Sequence, residues 1–207
     1  MNKKVLVIAL VLVLAVSSVF AAKADMKVGA QLGYGGRSLT ATDNNLRATL
    51  ASNGFYGAFT FEYGVTDAIS VKAEAGINTM GTMVLYMKNT KTGETANPTE
   101  SPYKTPVNFT LFVGALYNYA INKEFTVYGG AGIDVLMGLA AEDMDDTFNA
   151  GIGLGLELGA SYAIDKQLSV NVGGKFGWHF INTNENYKDE KFTGLAYKAY
   201  AGVTYSI

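Results

Sequence analysis

The sequence predicts an all-β chain folded as an eight-stranded antiparallel up-and-down barrel. Three observations predict it. Apolar residues alternate with polar or small ones at period two over most of the chain, which is the periodicity of a strand with two different faces. The three prolines, Pro98, Pro102 and Pro106, fall in one short window, and the rest of the chain is free of the one residue that cannot donate to a strand ladder. One phrase is written three times: YGVTDAISV at 63–71, YAINKEFTV at 119–127 and YAIDKQLSV at 162–170. It reads as the end of one strand, a tight turn, and the start of the next.

The first 24 residues stand apart. Lys3 and Lys4 precede an unbroken apolar run from Val5 to Val16, followed by small residues. This pattern predicts a secretory signal peptide over 1–24, cleaved after Ala21 or Ala24. The run is shorter than the ~20 apolar residues a spanning helix needs. The remaining domain, 25–207, is long enough for one core. Taking Lys3, Lys4 and Lys23 from the 16 basic residues leaves 13 against 18 acidic ones, about −5, so charge gives no case for nucleic acid. There is no cysteine, hence no disulfide framework.

Strands are expected near 26–36, 54–65, 69–80, 107–121, 125–138, 148–164, 168–180 and 192–207. The alternation is clearest from Ala150, where Ile152, Leu154, Leu156 and Leu158 alternate with Gly151, Gly153, Gly155 and Glu157. Tight turns are expected at Thr66-Asp67, Asn122-Lys123 and Asp165-Lys166. Asn and Asp suit such turns because they tolerate left-handed backbone and hydrogen-bond locally. Longer polar segments, roughly 37–53, 81–106, 139–147 and 181–191, lie at the opposite end. Met26-Lys27-Val28 reads as the second half of the repeat and Tyr205-Ser206-Ile207 as its first half, so first and last strands are expected to pair and close the barrel.

A soluble barrel turns apolar residues inward, and a membrane barrel turns them outward. Three features favour the membrane. The apolar set is almost free of charge over about ten residues per strand, the length of a tilted transmembrane strand. Tyr63, Tyr119, Tyr162 and Tyr205 recur at one level beside the short turns, as an interfacial girdle does. Loops are long at one end and short at the other. Closure follows from lipid itself, in which every backbone N–H and C=O must find a protein partner. The inward set then carries Lys27, Glu62, Lys72, Glu74, Asp134, Glu157, Lys175 and Lys198, four bases and four acids. Such charges must be paired when buried. They form either a network that fills the interior or a path for ions, for which eight strands leave little room.

No catalytic, metal or cofactor-binding constellation is legible. His179 is the single histidine, expected at the loop end of the lumen face, with Gly177 and Ile181 as its same-face neighbours and no serine nucleophile beside it. Zinc needs several ligands. Glu142, Asp143, Asp145 and Asp146 read as a solvated acidic loop. Gly151-Ile152-Gly153-Leu154-Gly155 continues a strand and no helix follows, unlike a nucleotide fingerprint.

Over nearly the whole mature length the chain resembles the OmpA/OmpX-like outer-membrane β-barrel domain family of Gram-negative-type bacteria. The hairpin repeats, Tyr128-Gly129-Gly130-Ala131-Gly132-Ile133 and the last strand carry the resemblance. It implies an outer-membrane location with short periplasmic turns and extracellular loops. The implied partners are outer-membrane lipids, and periplasmic chaperones and the outer-membrane assembly machinery during biogenesis. The closing residues YAGVTYSI look like the signal that machinery reads, with Gly202, Tyr205 and Ile207 at the signal positions, although the family usually ends in an aromatic. The expected function is non-enzymatic: an envelope scaffold, a surface-loop (adhesin-like) binding protein whose extracellular ligand the sequence leaves open, or both. The alternative is a narrow pore for ions or small solutes.

Overall fold

A computed structural model describes residues 25–81, 83–100, 107–139, 148–182 and 191–207. The expected signal peptide and the acidic cluster at 142–146 lie outside these residues. The described chain is strands and turns: β1 (Met26–Asp43), β2 (Leu46–Gly64), β3 (Ile69–Met80), β4 (Val84–Asn89), β5 (Thr99–Glu100), β6 (Val107–Ala120), β7 (Phe125–Leu139), β8 (Phe148–Ala163), β9 (Leu168–Asn182) and β10 (Lys191–Ser206). Eight of them form the wall. In the order β1-β10-β9-β8-β7-β6-β3-β2 each pairs antiparallel with the next, and β1 pairs with β2 to close the ring. Closure runs from Lys27↔Ser206 to Thr42↔Lys191 on one side of β1 and from Met26↔Tyr63 to Asp43↔Leu46 on the other.

The parity read from the sequence sets the faces. Leu32, Phe55, Phe59, Leu154, Leu156, Leu158, Val172, Phe176 and Trp178 point outward and are exposed. Gln31, Lys72, Glu74, Asp134, Glu157, Asn171, Lys175 and His179 point inward and are buried. This inverts the arrangement of a soluble protein, and it is what a lipid solvent selects.

The three short turns share one device, and it explains the repeat. Thr66 Oγ1 accepts the N–H groups of Ala68 (3.2 Å) and Ile69 (2.9 Å). Asn122 Oδ1 accepts those of Glu124 (2.8 Å) and Phe125 (2.7 Å). Asp165 Oδ1 accepts those of Gln167 and Leu168, both at 2.7 Å. The fourth residue of each phrase thus satisfies two backbone donors that the turn leaves unpaired. None of the three has a positive φ; among described non-glycine residues only Asn44 does, at 47°. Local hydrogen bonding, not left-handed backbone, is the reason for these residue types.

Two expected loops contain further strand. The segment 37–53 is not a loop: β1 and β2 continue as one hairpin to a tight turn at Asn44-Asn45. Thr40 and Thr49 hydroxyls meet across it at 3.0 Å. Within 81–106, β4 pairs with the β2 extension and β5 pairs with β4. The period-two signal is lost here because β4 and the hairpin tip carry exposed or half-exposed residues of both parities, so polarity no longer alternates.

Candidate functional site

An ion-pair layer crosses the lumen. Glu74 on β3 and Glu157 on β8 face each other across it with side chains almost wholly buried, at 1% and 0% exposed. Lys72 Nζ lies 2.5 Å from Glu157 Oε1 and 3.7 Å from Glu74 Oε2. Lys175 on β9 donates to Glu74 Oε2 and lies 3.4 Å from Glu157 Oε2. Lys198 on β10 donates to Glu74 Oε1 at 3.1 Å. Tyr56 donates to Glu74, and Tyr200 donates to Glu157. Tyr128 and Tyr200 hydroxyls are 2.9 Å apart. With its nitrogen turned toward Glu74, the Gln31 amide donates to Glu74 Oε2 and accepts from Lys72 Nζ, both at 3.2 Å. Rings cover the ammonium groups: Lys175 lies 4.1 Å from the Phe112 centroid and Lys198 4.1 Å from that of Tyr56.

This arrangement meets the demand on buried charge. Each carboxylate has more than one cationic partner and a phenolic donor to offset desolvation; the two hydrogen bonds to Glu157 both fall on Oε1, and its Oε2 faces Lys175 at 3.4 Å without one. Glycines make the room. A Cβ on Gly155 would lie 3.0 Å from the Phe112 ring, and one on Gly173 would lie 2.5 Å from the Tyr200 hydroxyl.

Five of the eight inward charges meet in this layer. Lys27 and Glu62 form a separate, partly exposed pair 3.7 Å apart near the turn end. Asp134 joins the histidine: His179 Nε2 lies 2.9 Å from Asp134 Oδ2. His179 faces the lumen near the loop end of β9, as expected, and is fully buried there. Strands β10 and β1 run past its level, with Gly194 opposite it and Leu39 opposite Gly194. Arg37, in a segment expected to be a loop, lies inside the barrel and donates to Asn108 Oδ1 at 2.8 Å. The tyrosines Tyr56, Tyr128 and Tyr200 also face the lumen, a placement beyond the expected charge set. Their signal was inward parity beside charged neighbours.

Below the layer, toward the turns, a cavity of about 430 Å³ is lined by polar residues including Lys27, Thr60, Glu62, Asn118, Ser161 and Asn171. Above it, toward the loops, a cavity of about 20 Å³ remains. Of the four girdle tyrosines, Tyr119, Tyr162 and Tyr205 are outward and exposed, whereas Tyr63 has outward parity and is buried. Tyr205 and Ile207 at the end of the last strand are exposed, and Gly202 sits where a Cβ would lie 2.6 Å from the Ala30 carbonyl oxygen. Among the described residues no three His, Asp or Glu side chains gather as a metal site.

An apolar exterior, a closed ring of eight strands and a charged, filled lumen define a transmembrane barrel of bacterial outer membranes. The chain matches the outer membrane protein beta-barrel domain over residues 6–198 and belongs to that family; it is an outer-membrane protein. Neisserial surface protein A superposes with a TM-score of 0.57 at 14% identity, over 86% of this chain and 96% of that one. Outer membrane protein AlkL superposes with 0.53 at 12% identity, over 89% and 90%. Outer membrane protein OprG from Pseudomonas aeruginosa gives 0.52 at 14% identity, over 87% and 95%. These likenesses are of fold. Among curated proteins no sequence matches the chain.

Proposed function

We propose that the protein is a non-enzymatic outer-membrane scaffold that presents its loop-end segments to the outside and does not conduct. The observation that carries this reading is the Lys72–Glu157–Lys175–Glu74–Lys198 layer, whose buried side chains fill the lumen between the two cavities. The β1–β2 hairpin tip and β4 extend the wall into a paired-strand surface that carries exposed residues such as Leu46, Arg47 and Tyr86. Loops on a rigid scaffold are where binding usually resides. Lipids solvate the apolar exterior, and the assembly machinery reads the end of β10, with Gly202, Tyr205 and Ile207 as the signal.

One observation favours the second reading, a narrow pore. The cavity of about 430 Å³ brings a polar space up to Lys72, so only the ion-pair layer and the cluster above it would need to part. Single-channel conductance of the refolded mature protein in a planar bilayer separates the two. Silence from inserted wild-type protein is the expected result, with Glu157→Lys, which adds a fourth lysine to the layer, measured alongside. Steady wild-type conductance with selectivity altered by Glu157→Lys would make the lumen the functional site.

A further inference from the structure

Three residues that line the small upper cavity each carry a buried polar atom without a hydrogen-bond partner. The atoms are Asn78 Oδ1 on β3, Thr110 Oγ1 on β6 and Asp134 Oδ1 on β7. Each residue is only 7% exposed. Buried oxygens of this kind are normally satisfied, by protein or by internal water. The cavity measures about 20 Å³. A single water requires about 10–15 Å³ on this measure and two to four polar partners.

We propose that this cavity is a binding site for one internal water molecule, held by Asn78, Thr110 and Asp134. Charge and donor chemistry select water over an ion. Arg37, Lys175 and Lys198 also line the cavity against the single carboxylate of Asp134, which opposes a cation. The unpartnered atoms of Asn78 and Asp134 are acceptors, which opposes an anion. Water donates to both acceptors and accepts from the Thr110 hydroxyl. Because water both donates and accepts, either orientation of the Asn78 amide leaves it a partner. The position has a structural consequence. Asp134 belongs to the His179 pair, and Lys175 and Lys198 belong to the ion-pair layer. The water lies beside both clusters and ties Asp134, of the His179 pair, to Asn78 on β3 and Thr110 on β6.

The test is a crystal structure of the refolded wild-type barrel grown with bromide, compared with Thr110→Val. The expected result is one peak without anomalous signal, within about 2.7–3.2 Å of the three atoms. In Thr110→Val, which keeps the shape and removes one partner, that peak is expected to weaken or shift from position 110. Three results would overturn the site: an anomalous peak, showing a halide; no peak, with the three side chains bonded to neighbouring protein atoms; or an unmoved peak in Thr110→Val.

Discussion

Lys72 on β3 and Glu157 on β8 meet across the lumen at 2.5 Å although 85 residues separate them in the chain. Neither can be understood alone. Around them stand Glu74, Lys175 and Lys198, so the layer holds three ammonium groups and two carboxylates. Removing a carboxylate and removing a lysine are therefore unequal changes.

Glu157→Gln leaves three lysines facing one glutamate in a water-poor interior. Lys72→Met leaves two lysines facing two glutamates, and Glu157 keeps Lys175 at 3.4 Å and the Tyr200 hydroxyl. Breaking a buried pair by removing one partner typically costs about 3–5 kcal/mol, because the other charge is stranded. Glu157→Gln is expected near that value and Lys72→Met at less than half of it. Equilibrium urea unfolding in lipid or detergent measures both. Equal losses would mean that the layer does not act as one charge-balanced unit.

Glycine positions on the two faces of the wall differ in what they touch. A Cβ on Gly130 of β7 would stand 2.0 Å from the Ala115 carbonyl oxygen, and one on Gly177 of β9 would stand 2.4 Å from Asp134 Oδ2. A Cβ on the outward Gly57 of β2 would first meet Leu32 Cδ2, at 3.5 Å. Gly130→Ala must move backbone and is expected to destabilise by about 1–3 kcal/mol, the scale of an overpacked core. Gly57→Ala is expected to be neutral or stabilising by up to ~1 kcal/mol, because it reduces the freedom of the unfolded chain. Gly177→Ala should chiefly disturb Asp134 and His179, visible as a shifted His179 ring resonance in a folded barrel. Similar unfolding curves for Gly130→Ala and Gly57→Ala would contradict this account.

The turn at Asp165 predicts a pH dependence. The N–H groups of Leu168 and then Gln167 hold the Asp165 carboxylate below its ordinary range. A carboxyl depressed in the folded state stabilises above its unfolded pKa, about 3.9 for aspartate, and loses that contribution as pH falls through the folded value. Asp165→Asn keeps an acceptor oxygen and removes the proton linkage. Carboxyl NMR titration of the folded protein should place the Asp165 midpoint below that of a free aspartate. A midpoint at or above it would mean that the two hydrogen bonds are not formed in solution.

Most of the wall was legible because its two faces meet different solvents. Where lipid touches one face and packed charge the other, alternation is strong, as from Ala150 to Tyr162, and strand and facing both follow. Legibility fails where that contrast ends. At Ser38–Thr42 and Arg47–Ala51 residues of both parities are half-buried or exposed, so alternation gives no sign that the strands continue. Arg37 was misplaced for the same reason, at the point where β1 passes from one regime to the other. Inward charges were legible one at a time, but their partners were not. Period two says that Asp134 points inward; only the register of β7 to β9 through β8 brings it to His179 rather than to a lysine.

The outward face carries the last prediction. Leu156 and Leu158 flank Glu157 on β8 and are 55% and 71% exposed, so they sit at the level of the ion-pair layer with their side chains in the surrounding solvent. If that solvent is the hydrocarbon core, a charge there must leave it, and the penalty for arginine at the midplane is about 2–4 kcal/mol, falling to roughly 0–1 near the interface. Leu156→Arg is therefore expected to lose about 2–4 kcal/mol in lipid vesicles. The same change at Tyr162, six residues nearer the turn end on the same face, should lose about 1 kcal/mol or less. In a water-soluble barrel neither change would matter much, since both sites would already be hydrated. Equal and negligible losses at the two positions would therefore count against the membrane depth assigned to the ion-pair layer. A graded loss would place that layer near the bilayer centre, where unpaired charge is hardest to tolerate and where the paired carboxylates of Glu74 and Glu157 are most strongly held.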